Sequence, residues 1–293
     1  FGCLPREYKK HAKETQIYYE RRKLSMYALT DRCAFLRDLV TGTNDYEDQY
    51  CCQYAVYTTL GAYEAAKKGL SNAETLASGM VRLMDDFHPV IIPGELIVGF
   101  NFPDTKYPEN FRPKDTPEDR AIMAKNCVSP EDIEQYARIL QERPRLYQRI
   151  PPQITQEERN ANKEWAAIGG CIASNHTVLD YEKVLKLGFR QILEEVESWE
   201  RKNGTNPMYR SIKAICAAAC HMGEKYAQAA EALLSSGDEA YQKEDLEHII
   251  AVCRNVPEKP AASFREAVQA LLFAHIVNTW EDHINANSLG RLD

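Results

Sequence analysis

Three clusters of polar residues have types and spacing that suit chemistry. Asn175-His176-Thr177 closes a small, glycine-rich stretch, Ile168-Gly169-Gly170-Cys171-Ile172-Ala173-Ser174, just ahead of a helix expected from Asp180. Glycines let a ligand approach the backbone closely, and a helix N-terminus favours an anion or an oxygen-rich group. A neutral imidazole there can donate to, or accept from, a substrate hydroxyl or carboxylate. A histidine satisfied by backbone partners, merely shaping the turn, is the alternative reading. Asn287-Ser288-Leu289-Gly290-Arg291 suits a loop at the end of a helix or strand that directs small polar groups into a cavity. Arg291 has the chemistry to bind a carboxylate or to join a structural ion pair. Glu281-Asp282-His283 has metal-ligand residue types but no partner cluster elsewhere. A solvated helix end accounts for it, and no metal site is assigned.

The nine cysteines are an odd number for a disulfide framework. Cys216 and Cys220 sit four apart on one helical face and are followed by His221, but no further ligands stand at matching spacing. They are expected to be small buried apolar residues, and Cys51-Cys52 likewise packing rather than redox chemistry. Reduced thiols fit a cytoplasmic protein, in which the sequons at Asn175 and Asn203 carry no weight. No phosphate loop, nucleotide fingerprint, zincin helix or nucleophile elbow occurs.

The elements that must position these residues are mostly helical. The chain has 293 residues, is 44% apolar and 27% charged, and carries a net charge of −7, with no basic block. That balance describes a globular chain and makes nucleic acid a poor partner. No stretch approaches the ~18 apolar residues a membrane span needs, and no signal peptide is visible. Apolar residues spaced three and four apart predict helices around Tyr27–Thr41 and Gln53–Lys68. Ser71 with Glu74 predicts a capped helix running to about Phe87 and stopping before Pro89. Val90–Gly99 holds two short β-branched runs around a Pro-Gly turn and predicts strands. Residues 101–116 and 144–158 predict loops, and Ser129-Pro130 opens a helix. Long helices are expected over 180–202, 208–235 and 239–253, and Ser263 with Glu266 caps a last helix to about Trp280. The resulting expectation is a mainly α chain with a few short strands. The abrupt ends, Phe1-Gly2-Cys3 without an initiator Met and Gly290-Arg291-Leu292-Asp293, predict a piece of a longer protein.

The order of four segments is diagnostic. Pro93-Gly94-Glu95-Leu96-Ile97-Val98-Gly99 resembles the "ELIVG" segment of the glycyl radical enzymes, the pyruvate formate-lyase-like family. His176-Thr177 with Asp180-Tyr181-Glu182-Lys183-Val184-Leu185 and Gly188 resembles its "GHT..DYEKVL..G" stretch. Pro257 with Pro260-Ala261-Ala262-Ser263-Phe264-Arg265-Glu266-Ala267-Val268-Gln269-Ala270 resembles "vP..PA.SFREAlQa", and Ser288-Leu289-Gly290-Arg291-Leu292-Asp293 resembles "SxGRxDQ" without its Gln. Residues 1–90 fit the family's helical lead-in only loosely.

The resemblance implies a ten-stranded α/β barrel wrapped in helices, of which this chain is the incomplete N-terminal part. Residues 1–90 are then a helical lead-in, and 91–293 the helical shell and first barrel strands. The family's chemistry uses a glycyl radical near the C-terminus, installed by a radical SAM activase, and a cysteine within Gly-Cys-x-Glu that becomes a thiyl. Neither motif occurs here. Gly170-Cys171 is followed by Ala173 where Glu belongs, and Gly2-Cys3 fails the same way, so no catalytic residue is assigned and the glycyl radical domain is expected to be absent. In the diol-dehydratase members the His and Ser of these motifs contact substrate hydroxyls, which implies substrate-binding roles for His176 and Ser288. Asn175 replaces the usual Gly and joins them. Formate-lyase members carry arginine in the slot of His176, so the resemblance points to a dehydratase or lyase of a small hydroxylated substrate. It also implies a homodimer at full length. A formate C-acetyltransferase, or a free-standing helical interaction protein derived from the family, are the alternatives.

Overall fold

The computed structural model describes residues 32–34, 50–99, 113–147, 157, 160, 176–282 and 286–288. The chain divides into two compact units, Phe1–Tyr46 and Glu47–Asp293. In the first, residues 32–34 are helical, inside the span where a helix is expected; the rest of that expectation lies outside the described residues. The second unit is mostly helical, as the periodicity predicts.

It opens with α1 (Tyr50–Lys67) and α2 (Asn72–Asp86). Ser71 caps α2 as expected: its hydroxyl accepts from the Glu74 amide at 3.3 Å, and the Glu74 carboxylate takes the Ser71 amide at 3.1 Å. The two helices cross closely through glycines. A Cβ on Gly61 would come within 2.2 Å of the Ser78 carbonyl oxygen, and one on Gly79 within 2.8 Å of that of Thr58. α3 (Pro117–Lys125) and α4 (Pro130–Tyr147) follow. The sequence reading missed α3, although Thr116-Pro117-Glu118-Asp119 carries its signal: a Thr cap, Pro at the first position and acids in the first turn. α4 extends through Pro144 to Tyr147, where a loop is expected, and Glu157 is also helical; the rest of that expected loop lies outside the described residues.

After β1 (His176–Val178) come α5 (Tyr181–Asn203), α6 (Pro207–Ser236), α7 (Lys243–Cys253) and α8 (Phe264–Asp282), then β2 (Ala286–Ser288). The thirty-residue α6 is the central post, packed by α2, α5 and α7. Tyr226, on α6, stacks between Phe87 and Phe273 at centroid separations of 5.8 and 5.3 Å, and Trp280 meets Phe87 edge-on at 5.4 Å. This cluster joins α2, α6 and α8 into one core, in which Tyr226 and Phe273 are fully buried.

The strands expected at Val90–Gly99 do not form. The segment is irregular, with a turn at Pro93-Gly94 closed by the Glu95 amide donating to the Ile92 carbonyl at 3.0 Å. β-Branched residues favour a strand only where another strand pairs with it. Here a buried glutamine, Gln269, pairs with Val98, and a second, Gln53, with His88 just before the segment. The Gln269 side chain accepts from the Val98 amide at 2.8 Å and donates to the Val98 carbonyl at 2.7 Å, and Gln53 accepts from the His88 amide at 2.7 Å.

α5 also departs from the continuous helix expected over 180–202. It breaks at Gly188, where φ is 67° and ψ 167°. The break frees the amides of Phe189 and Arg190 to donate to the carbonyls of Pro257 and Glu258, at 2.9 and 3.0 Å. The Ala261 amide returns a bond to Leu185 at 3.0 Å. A Cβ at Gly188 would lie 2.4 Å from the Glu258 carbonyl oxygen, so the close approach requires glycine.

Candidate functional site

β1 and β2 run side by side in parallel, with His176 opposite Ala286, Thr177 opposite Asn287 and Val178 opposite Ser288. A parallel pair needs a long crossover, and the four helices α5 to α8 provide it. Strand residues alternate faces, so positions 176, 178, 286 and 288 share one face of the ladder and 177 and 287 the other. His176 and Ser288 therefore stand on adjacent strands, at positions of the same face, offset by two residues along the ladder. This corrects the sequence reading, which put His176-Thr177 and Asn287-Ser288 on loops. Three-residue strands show no legible alternation, and each one's partner lies far away in the chain. Asn175, Arg291 and His283 lie outside the described residues. Glu281 and Asp282 end α8.

The helices that carry the strands are locked to each other by the same segments that drew attention in the sequence. α5 starts three residues beyond β1, with Asp180 as its cap, accepting from the Lys183 amide at 3.1 Å. Tyr181, the first residue of α5, is buried, and its hydroxyl lies 3.3 Å from Nδ1 of His275 on α8. Burial raises the Tyr181 phenol above its ordinary range and lowers the His275 imidazole, so both are neutral around pH 7. Gly188 docks α5 on the Pro257–Ala261 connection, and Gln269 of α8 grips Val98. Three of the four diagnostic segments thus meet at α8 or the connection leading into it, and the fourth begins at β2, just beyond its end.

Glu95 sits in this framework as a half-buried carboxyl whose pKa is pushed up to about 7 by desolvation, against the opposing hydrogen bond from the Ile92 amide at 2.9 Å. Glu95 and Gln269 fall within segments that carry the resemblance, but no role is expected for either, and His275 lies outside those segments in an apolar helix.

Cys52, Cys216, Cys220 and Cys253 are buried as packing residues, whereas Cys33 and Cys127 are exposed. Cys216 and Cys220 are buried, and burial raises each thiol to about 11, so neither forms a thiolate at neutral pH. His221 is exposed while Cys220 beside it is buried. Among the described residues no group of three or more His, Cys, Asp or Glu has the geometry to hold a metal ion. No helix among them is long and apolar enough to cross a membrane.

The family model of pyruvate formate lyase-like proteins matches residues 33–293. An isethionate sulfite-lyase from Nitratidesulfovibrio vulgaris is 34% identical over 128 residues, covering 40% of this chain and 15% of that protein. The glycerol-bound B12-independent glycerol dehydratase of Clostridium butyricum superimposes with a TM-score of 0.58 at 21% identity, over 83% of this chain and 33% of that one. A protein of 1,2-propanediol dehydration from Roseburia inulinivorans gives 0.62 at 22% identity, over 87% and 34%. The chain therefore spans about a third of the length of these solved structures. With the four motif segments in order and three of them interlocked around α8, this match makes the chain a member of the pyruvate formate lyase-like family of glycyl radical enzymes.

Proposed function

We propose that this chain forms the substrate-holding part of a glycyl radical dehydratase or lyase acting on a small hydroxylated molecule. In this reading β1 and β2 are the first members of the family's ten-stranded α/β barrel. His176, Ser288 and Asn175 hold the substrate hydroxyls. The observation that carries the reading is the parallel ladder, which sets His176 and Ser288 on neighbouring strands at positions of one face. An imidazole and a hydroxyl so disposed bracket a small polyol with neutral donors and acceptors. Histidine at 176, where formate-lyase relatives carry arginine, favours a hydroxyl over a carboxylate.

The residues of this chain fix the substrate and do not react with it. Holding two hydroxyls leaves one C–H exposed to the hydrogen-abstracting thiyl, which the family carries on a Gly-Cys-x-Glu loop that is not in this sequence. A closed barrel keeps water from the radical intermediates while a C–O or other C–X bond breaks. Activation by a radical SAM enzyme, a homodimeric full-length protein and a cytoplasmic location belong to the same proposal.

The test uses the full-length protein, activated anaerobically and offered glycerol, 1,2-propanediol and isethionate. At least one is expected to turn over. His176→Ala and Ser288→Ala are each expected to lower kcat/KM by about ten- to a hundredfold, the weight of a lost hydrogen bond to substrate. The 293-residue chain alone is expected to be inactive. Unchanged kcat/KM in both variants would refute the assignment.

A further inference from the structure

β1 and β2 are short, and a three-residue ladder has little stability of its own. Something outside it must fix how the two strands lie. α5 leaves β1 directly, and α8 delivers β2, so any contact between the start of α5 and α8 acts on both strands. Two contacts stand out, one to the connection into α8 and one to α8 itself. Gly188 seats α5 on the connection into α8, two turns away from β1. Tyr181 is much nearer, the third residue after Val178, and it is buried with its hydroxyl 3.3 Å from His275 Nδ1.

We infer that Tyr181 and His275 are positioning residues, whose contact ties the end of β1 to the helix that delivers β2 and so sets the offset between His176 and Ser288. This rests on the substrate-holding role proposed for those two residues. A buried phenol hydroxyl needs a polar partner, and the imidazole provides one that is neutral at pH 7. Two neutral groups keep the link without placing a charge beside a strand pair meant to hold a neutral hydroxylated molecule. The Thr279 hydroxyl, donating to the His275 carbonyl at 2.9 Å, anchors the same turn of α8.

The test needs no substrate for its first readout. In the full-length protein, Tyr181→Phe and His275→Leu are each expected to speed amide hydrogen exchange at 176–178 and 286–288 by about three- to tenfold, the weight of one buried hydrogen bond. Exchange in α6 stays unchanged. His275→Asn, which offers an amide near the Nδ1 position, is expected to restore protection. The double variant Tyr181→Phe/His275→Leu exchanges no faster than the worse single one, because both remove the same link. Exchange at the two strands equal to wild type, or raised equally in α6, would overturn the inference. In turnover of glycerol or 1,2-propanediol, KM should rise in Tyr181→Phe and in His275→Leu, and stay near the wild-type value in His275→Asn with Tyr181 intact. If the wild type turns over none of glycerol, 1,2-propanediol and isethionate, the functional reading fails while the exchange result still decides the positioning role.

Discussion

Replacing Gly188 with alanine should be among the most damaging small changes available in this chain. Two costs add there. The residue sits at φ 67° and ψ 167°, a region open essentially to glycine alone, so a side chain costs on the order of 1–3 kcal/mol in the backbone. Its Cβ would also lie 2.4 Å from the Glu258 oxygen and 2.6 Å from the Lys259 carbonyl carbon, both backbone atoms with no free rotation. Relieving that overlap means separating the chains and losing the bonds from Phe189 to Pro257 and from Arg190 to Glu258. Two such bonds contribute about 1–3 kcal/mol together. Gly204 is the matched control, because it has nearly the same backbone angles, φ 81° and ψ 158°, and nothing within 4 Å of where a Cβ would go. Gly204→Ala therefore reports the backbone cost alone. Gly188→Ala should cost about 2 kcal/mol more, which is roughly thirtyfold in the exchange of the Phe189 and Arg190 amides. Urea unfolding of the full-length protein measures the total loss, and hydrogen exchange by mass spectrometry localises it to 185–190 and 257–261. Equal losses in the two variants, or unaltered exchange at Phe189 and Arg190, would refute the docking account.

Two further outcomes follow from Gln269, which pairs with Val98, and from Glu95 in the same segment. Gln269→Leu strands both the amide and the carbonyl of Val98 without partners, at about 1–3 kcal/mol each, and should lower the urea midpoint clearly more than the average substitution. A midpoint at the wild-type value would show that Gln269 is a filler. Glu95 has its pKa raised from 4.5 to about 7 in the fold. Below pH 4.5 it is protonated in both folded and unfolded chains and contributes no pH-dependent cost. As pH rises towards 7 the unfolded chain ionises first, so the fold loses about 3 kcal/mol across that window. Glu95→Gln removes this loss, and the variant should gain stability relative to wild type between pH 5 and pH 8. A stability difference that stays constant over that range would place Glu95 in contact with water.

The helices were legible because their signals are local. Ser71 with Glu74, Ser263 with Glu266 and the apolar spacing of α1 and α6 each lie within a few residues of one another, and the observed ends fall close to those expected. The errors have a shared cause. Val90–Gly99 carries strand-forming residues, but a side chain 171 positions away on α8 satisfies Val98, so no second strand is required. His176 and Ser288 were recognisable as substrate-binding candidates from motif resemblance, yet their strands were not, because a ladder exists only once both partners are brought together. Gly188 was part of a recognised motif and still looked like a tolerated glycine within a helix, since the chain it approaches begins at Pro257.

The sequence by itself determined the helical character, the caps and the family. The helices and caps depend on residue type and on neighbours within a turn or two, and the family on the order of four segments along the chain. The tertiary structure alone decided that His176 and Ser288 occupy adjacent parallel strands, that Gly188 is a docking point, and that Gln269 and His275 hold the frame. Those facts depend on which distant backbone and side-chain groups must be paired once water is excluded, and burial is a property of the whole fold.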